Sequence, residues 1–207
     1  MEQEARSVRL FKEKIITLRL VKPRLDVKYP KVTGLKNSFV QQMINGAILD
    51  AVYGLIRTQG YVQDPTKTVT GDYKVELHEK ELLSLLYSNY GYAQGAAHGM
   101  TYQSSQTFDL LTGQLYTLAD LFKPGSNYVG RLSAIIAKEM KARDIPLLTP
   151  FKEIRPNQDF YLTPKSIVIY FQLYEYAPYV YGFLTFEIPF AEVQELIDPN
   201  GPIGRLM

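Results

Sequence analysis

Two loops rich in glycine or tyrosine hold the side chains best suited to chemistry. The first loop spans residues 91–99 and carries His98 near its tip, after Tyr92 and Gly95. An imidazole titrates near neutral pH, so His98 is a candidate general base, a candidate contact to a partner, or a structural group that hydrogen-bonds the backbone of its own Ala-His-Gly turn. The glycine spacing fits neither a phosphate-binding loop nor the G-x-G-x-x-G pattern. We therefore predict a turn with unusual backbone angles.

The second loop is crowded with tyrosine. Four of the 16 tyrosines fall within residues 174–181, around Glu175 and Pro178. Tyrosine offers a large rigid contact area at low entropic cost, which is typical of binding loops. Ordinary aromatic packing between strands explains the same cluster equally well. From the two loops together, the predicted binding residues are Tyr92, Gly95, His98, Glu175, Tyr176, Pro178, Tyr179 and Tyr181.

Catalytic motifs are scarce. The chain has no cysteine and two histidines, His78 and His98. This composition excludes disulfides, thiol catalysis and iron–sulfur clusters and disfavours a histidine-rich metal centre, so we expect no cofactor. There is no G-x-S-x-G or H-E-x-x-H motif. Glu175 with His98 as an acid/base pair acting on a glycan or an acyl group remains an alternative, while a noncatalytic function is the prediction.

The positive charge is concentrated near the N-terminus. Residues 1–36 carry ten Lys and Arg against four Asp and Glu, a net charge of +6, within a chain of net charge +2. Residues 13–22 alternate apolar and polar side chains, which favours a solvated strand over a nucleic-acid site. Contact of this arm with an acidic partner or a membrane surface stays open as an alternative.

No run of 18 apolar residues is present, so we predict no membrane span. The first residues lack the basic-then-apolar order of a signal peptide. As written, the chain is expected in the cytoplasm; if it is a fragment that has lost an export signal, the expectation is an extracytoplasmic location.

Periodicity defines the elements that must position the two loops. A helix with one buried face is expected from Asn37 or Ser38 to about Gly60, and Gly46 and Gly54 within it indicate the close approach of another element. A second helix is expected after a Ser126 cap. The predicted strands are residues 13–22, 73–77, 82–92, 100–110, 115–122, 160–162, 166–175 and 184–190, with a short final helix at 191–197.

These elements alternate without a regular β-α-β order, which favours an α+β fold with a mainly antiparallel sheet packed against two main helices. We predict an N-terminal half at residues 1–110 and a C-terminal half at residues 111–207, joined in one unit.

Two stretches of the chain also carry a family resemblance. Gly-Ala-Ala-His-Gly, Phe-Asp-Leu-Leu-Thr-Gly and Leu-Ala-Asp-Leu-Phe occupy residues 95–99, 108–113 and 118–122. Phe-Tyr-Leu, Tyr-Glu-Tyr-Ala-Pro-Tyr and Ile-Pro follow at residues 160–162, 174–179 and 188–189. In this combination the chain resembles the RsiV-like family. The loop reads Gln94-Gly95 where relatives often have two glycines.

The resemblance implies an α+β module that binds or senses. In that family, the extracellular part of a membrane-anchored anti-sigma factor binds lysozyme, and the module also precedes a peptidoglycan deacetylase domain. The expected partner is therefore a protein or glycan ligand, with lysozyme or cell-wall glycan as the implied choices. A hydrolase or accessory domain acting on peptidoglycan is the remaining alternative.

Overall fold

The computed structural model describes residues 13–207 and contains two β-sheets and two long helices. The first half supplies β1 (Lys14–Lys22), β2 (Leu25–Thr33), α1 (Ser38–Thr58), β3 (Thr68–Glu79), β4 (Leu82–Tyr92), β5 (Met100–Asp109) and β6 (Leu115–Tyr116). The second half supplies α2 (Tyr128–Ala142), β7 (Phe160–Leu162), β8 (Ser166–Phe171) and β9 (Leu184–Pro189). Four short 3-10 turns lie at Ala119–Leu121, Tyr179–Tyr181, Phe190–Glu192 and Ile203–Arg205. The α+β prediction is confirmed.

The larger sheet has the order β1-β2-β3-β4-β5-β6 and is antiparallel except for the β2–β3 pair. Parallel neighbours need a crossover, and α1 provides it. The helix begins where the Asn37 side chain accepts the N–H groups of Phe39 and Val40. Its inner face then packs on the sheet through Val40, Ile44, Ile48, Val52, Leu55 and Ile56.

The smaller sheet, β7-β8-β9, packs with α2 against the opposite face of the larger sheet. Strand β4 shows this sandwiching directly, because all of its residues from Leu82 to Tyr87 are buried. Leu83 and Leu85 face α1, whereas Leu82 faces the second layer. A strand covered on both faces cannot show the alternating pattern of a half-solvated strand.

Side-chain hydrogen bonds join the two sheets. Gln172 accepts the N–H of Gln103 at 3.1 Å and donates to the Gln103 carbonyl at 3.0 Å, so one amide side chain imitates a strand partner for β5. On β4, the Ser84 hydroxyl accepts the Leu162 N–H at 2.9 Å. These hydrogen bonds connect specific residues of the two sheets. They therefore fix the position of one sheet relative to the other, in addition to the apolar packing between them.

Several predicted boundaries are wrong, each for a local reason. The predicted strand 115–122 stops at Tyr116, because Asp120 accepts the Thr117 N–H and starts a turn. The cap of α2 is Asn127, whose side chain accepts the Gly130 N–H, and not Ser126. The helix expected at 191–197 is only the 3-10 turn Phe190–Glu192.

Strand β2 was not predicted, and it contains Pro30, which has no backbone N–H to donate to a neighbouring strand. The structure accommodates this proline at a place where no donor is needed. Only Leu25–Val27 pair with β3, so the N–H missing at Pro30 lies on a side of β2 that carries no partner strand there.

Among the described residues, α1 is long and apolar enough to cross a membrane by length and composition. Six of its side chains are buried against the sheet. The helix is therefore the core helix of this layer.

The β3–β4 hairpin turns through Lys80 and Glu81, which both have positive φ angles, 51° and 56°. Two left-handed residues define the type I′ turn, which prefers Asn-Gly. We expect Glu81→Gly to stabilise the fold by about 1 kcal/mol, since an L side chain strains this conformation. Urea unfolding measures the gain, and Glu79→Gly, at the last residue of β3, should instead destabilise. Equal destabilisation by both changes would contradict the prediction.

Candidate functional site

The two loops singled out in the sequence meet at the surface. The His98 ring lies 5.0 Å from the ring of Tyr179, and Tyr179 lies 5.6 Å from Tyr174, measured between ring centroids. The Tyr174 hydroxyl is 3.5 Å from Nε2 of His98, across 76 positions of sequence. We call these three residues, His98, Tyr174 and Tyr179, the tyrosine–histidine patch. All three are exposed.

Hydrogen bonding orients the imidazole. Nδ1 of His98 lies 2.8 Å from the carbonyl oxygen of Gly99, which can only accept, so Nδ1 carries the proton in the neutral ring. Nε2 is then the acceptor and faces the Tyr174 hydroxyl. The ring thus has both a backbone contact and a face open to a ligand.

The tyrosine-rich segment is held stiffly behind the patch. Tyr174 has a positive φ of 65°, and the Glu175 carboxylate accepts the Gln172 N–H at 2.8 Å and an Arg155 N–H at 2.7 Å. This turn ends β8 at Phe171, four residues before the predicted end at Glu175. Glu175 therefore stabilises the turn that holds Tyr174 in the patch.

Asp159, a half-buried acidic residue, lies near Glu175. Burial raises the pKa of Asp159, and the nearby Glu175 charge adds to the rise, against the opposing effect of Arg155. Burial likewise raises the pKa of the Tyr170 hydroxyl, which donates to Ser105 at 3.0 Å. Burial is thus the main cause of the raised pKa at both Asp159 and Tyr170.

Gln59, the C-cap residue of α1, holds together the two strands at the base of the His98 loop. Nε2 of the buried Gln59 donates to the carbonyls of Asn89 and Met100, on the two strands that flank the loop. Gly99 lies against the Tyr90 ring, since a Cβ there would be 2.3 Å from that ring. The loop is therefore positioned by the helix from one side and by an aromatic side chain from the other.

The remaining predicted residues are distributed around the patch. Tyr176 turns inward and packs on the rings of Phe151 and Phe171, at 5.4 and 5.0 Å. Tyr92 ends β4, Gly95 has a positive φ of 85° in the exposed loop, and Pro178 precedes the 3-10 turn that carries Tyr179. Tyr181 is exposed at the end of that turn.

Tyr90 and Tyr174 were not among the predicted binding residues. The tyrosine cluster already indicated Tyr174. No local signal pointed to Tyr90, whose position depends on how the loop folds back over β4.

A shallow groove of about 370 Å³ crosses the uncovered part of the larger sheet near Tyr90. Most of the residues that line it have polar side chains: Asp26, Lys28, Thr70, Gly71, Asp72, Ser88, Tyr90 and Thr101. Within residues 13–207, no three acidic or histidine side chains come together as a metal site would require.

Two adjoining families match this chain. Residues 20–101 match the family described as Deacetylase PdaC, and residues 119–191 match Protein of unknown function (DUF3298). This pair is the arrangement expected from the sequence motifs, and the matches support an RsiV-like family module.

Two relatives from Bacillus subtilis are similar in sequence. The chain is 31% identical over 191 residues to the anti-sigma-V factor RsiV, covering 84% of this chain and 65% of RsiV. It is 30% identical over 115 residues to the peptidoglycan-N-acetylmuramic acid deacetylase PdaC, covering 51% of this chain and 24% of PdaC. The chain thus spans just under two thirds of the first relative and about a quarter of the second.

Two solved structures share the fold. A DUF3298 family member from Bacteroides fragilis superposes with a TM-score of 0.70 at 16% identity, covering 94% of this chain and 96% of that one. A DUF3298 family protein from Pseudomonas aeruginosa superposes with a TM-score of 0.67 at 17% identity, covering 92% and 95%.

Proposed function

We propose that this chain is a noncatalytic recognition module and that the tyrosine–histidine patch contacts its ligand. The observation that carries the proposal is the meeting of His98 with Tyr174 and Tyr179, from two loops far apart in sequence, at an exposed surface. Exposed aromatic groups clustered in this way are typical of binding hot spots.

The stiffness of the patch supports recognition. Tyr174 and Tyr179 need little further ordering on binding, because the Glu175 turn and the Pro178 turn already hold their backbone. A prearranged surface loses less entropy when a partner docks. Val180, at 85% exposure, projects beside the patch and suits a concave protein surface.

Hydrolysis by His98 and Glu175 is less favoured by the geometry. Both carboxylate oxygens of Glu175 already accept hydrogen bonds, one from Arg155 and one from the Gln172 backbone. A carboxylate held in this way is a poor general acid or base, since both of its oxygens already accept hydrogen bonds from the protein.

Lysozyme is the protein probe that the family resemblance implies. A relative named as an anti-sigma factor, a class of protein that acts by binding, agrees with a binding role. The lysozyme version of the proposal requires the module to work outside the cytoplasm.

We expect Tyr179→Ala to weaken lysozyme binding about 30-fold, the loss typical of a hot-spot tyrosine. Isothermal titration calorimetry measures the affinity, and circular dichroism checks that the variant is folded. Tyr53→Ala is the matched control, because Tyr53 is similarly exposed, 39% against 36%, but lies on α1. Equal binding by the Tyr179 and Tyr53 variants would contradict the role of the patch, and no binding of lysozyme by the wild type would remove this ligand.

The polar groove beside Tyr90 favours a second candidate, a cell-wall glycan. Sugars combine hydroxyl groups with apolar C–H faces, and the groove offers carboxylates, an ammonium group, hydroxyls and one tyrosine ring. Titration of the same protein with soluble peptidoglycan fragments, followed by amide chemical shifts, tests it. Shifts at Ser88 and Thr101 would support the candidate, and unchanged spectra would remove it.

A further inference from the structure

The polar groove on the larger sheet is built from two rows of side chains that cross the strands. One row, aligned by the pairing of β2, β3, β4 and β5, consists of Asp26, Thr70, Tyr90 and Thr101. The next row, joined by the same pairing and by the Lys28–Asp72 salt bridge, consists of Lys28, Asp72, Ser88 and Gln103. Four strands about 4.8 Å apart make each row about 14 Å long. The long dimension of the groove therefore runs across the strands.

The charged side chains that line the groove are paired with one another or with a neighbour. Nζ of Lys28 lies 3.2 Å from Oδ2 of Asp72, and Nε of Arg19 donates to Oδ1 of Asp26 at 2.6 Å. A surface whose charges cancel in this way does not select an acidic or a basic ligand by electrostatic complementarity. The groove is therefore suited to a ligand that is polar and uncharged.

The floor of the groove offers side chains and no strand edge. At Thr70 and Tyr90, β3 and β4 each have a partner strand on both sides. An extended peptide commonly binds by adding a strand to a free edge, which this floor does not provide. The hydroxyl groups of Thr70 and Thr101, with the 42% exposed Tyr90 ring between them, instead match the hydroxyl groups and C–H faces of a saccharide.

The groove and the tyrosine–histidine patch adjoin at β5. Gly99, next to the patch histidine, lies against the Tyr90 ring, so the loop of the patch borders this end of the groove. On the open side of β5, Gln172 exchanges two hydrogen bonds with the backbone of Gln103, and Tyr174 follows two residues later. The two rows of the groove thus lead across β5 to the patch.

We propose that the groove and the patch form one continuous binding site for a linear, uncharged saccharide chain. This inference rests on the proposed recognition function and names its ligand class. The groove, at about 370 Å³, is at the small end of the range of roughly 300–1,000 Å³ for ligand sites, so a short saccharide fills it. A longer chain extends past β5 and meets Tyr174 and Tyr179, whose ring centroids are 5.6 Å apart.

Isothermal titration calorimetry of the full chain with N-acetylglucosamine oligomers tests the ligand class, because these oligomers are linear and uncharged. The wild type should bind the hexasaccharide about tenfold more tightly than the disaccharide, since the longer chain also reaches the patch. Thr70→Arg places a long side chain in the groove and should weaken both oligomers about 30-fold. No binding of either oligomer by the wild type would overturn the proposal.

Thr185→Arg is the matched control for Thr70→Arg. Thr185 is likewise an exposed threonine within a strand, but it lies on β9 in the smaller sheet. This variant should bind both oligomers as the wild type does, and circular dichroism checks that both variants are folded. Equal weakening by the two arginine substitutions would overturn the assignment of the saccharide to the groove.

Tyr179→Ala tests whether the groove and the patch act as one site. The change should weaken the hexasaccharide about tenfold and the disaccharide less than about twofold, because only the longer chain reaches Tyr179. Equal losses for the two oligomers, or no loss for either, would overturn the continuity of the site. A wild type that binds lysozyme through Tyr179 but binds no oligomer would overturn the saccharide site and leave the proposed recognition function standing.

Discussion

Gly91→Ala is expected to destabilise the fold by about 3 kcal/mol, more than a typical surface substitution. A Cβ at this position would lie 2.2 Å from Oε1 and 2.7 Å from Cδ of the buried Gln59. Gln59 cannot move freely, since its Nε2 donates to the Asn89 and Met100 carbonyls. The added methyl group must break these bonds or displace β4, and urea unfolding at neutral pH measures the cost.

The Gly91 effect has a matched control and a double-mutant test. Gly54→Ala lies inside α1, where the new Cβ meets only the Arg57 guanidinium at 3.9 Å, so it should stabilise by up to about 1 kcal/mol. Combining Gly91→Ala with Gln59→Ala should cost less than the sum of the single changes, because the second change removes the group that clashes. Strict additivity would show that the clash with Gln59 is not the cause.

The contact between Gly91 and Gln59 also connects the stability of the fold to the candidate functional site. Gln59 holds the strands on both sides of the loop that carries His98, so Gly91→Ala should loosen this loop before the whole domain unfolds. Faster amide hydrogen exchange across residues 92–99, at equal exchange in α2, is the expected sign.

Asp109→Asn is expected to cost about 2–3 kcal/mol at pH 7. The Asp109 side chain is 8% exposed and accepts the Arg205 guanidinium at 2.6 Å, the Tyr116 hydroxyl at 3.0 Å, and the backbone N–H groups of Leu111 and Thr112 at 2.8 and 2.9 Å. It fastens the C-terminal 3-10 turn to the β5–β6 connection. Asparagine keeps one acceptor and loses the charge that faces Arg205.

The pH dependence of this contribution follows from the Asp109 pKa. Burial pushes that pKa up, but the Thr112 N–H, the Arg205 guanidinium, the Leu111 N–H and the Tyr116 hydroxyl together bring it below its ordinary value. The unfolded chain therefore binds a proton at higher pH than the folded chain does. The stabilisation is complete above the ordinary pKa of about 3.8 and is lost as pH falls through the lower, folded pKa.

Unfolding free energies of wild type and Asp109→Asn, measured from pH 7 to pH 2.5, should accordingly converge below about pH 4. Asp72→Asn is the control, because the exposed Asp72 makes a surface ion pair with Lys28 and accepts the backbone N–H of its neighbour Tyr73, so the change should cost less than about 1 kcal/mol. A gap between wild type and Asp109→Asn that stays constant across this range would contradict the assigned titration.

Only part of the basic N-terminal arm lies within the described residues. Residues 1–12 lie outside the described residues, so the predicted contact with an acidic partner stays a prediction for them. In the described part, Arg19 pairs with Asp26 and Lys28 with Asp72, all at the exposed surface. The proposed boundary between residues 110 and 111 also stays a prediction.

Local patterns were sufficient for most of the secondary structure. The spacing of Ile44, Ile48 and Leu55 predicted α1, and the alternation in residues 13–22 predicted β1, because periodicity depends only on which side of an element is buried. Where prediction was wrong, a side chain a few residues away ended the element, as Asp120 and Glu175 do. Such capping bonds depend on rotamers that the residue pattern does not specify.

The sequence by itself determined the fold class, the family resemblance and the two loops that carry the candidate site, because these follow from periodicity, turn residues and local motifs. Only the tertiary structure decided that His98 meets Tyr174 and Tyr179, that Tyr176 faces the core, and that no other described element packs closely on Gly46. These facts depend on how the second sheet docks on β4 and β5, through contacts such as Gln103 with Gln172. Contacts between residues so far apart in sequence are set by packing, which no local pattern encodes.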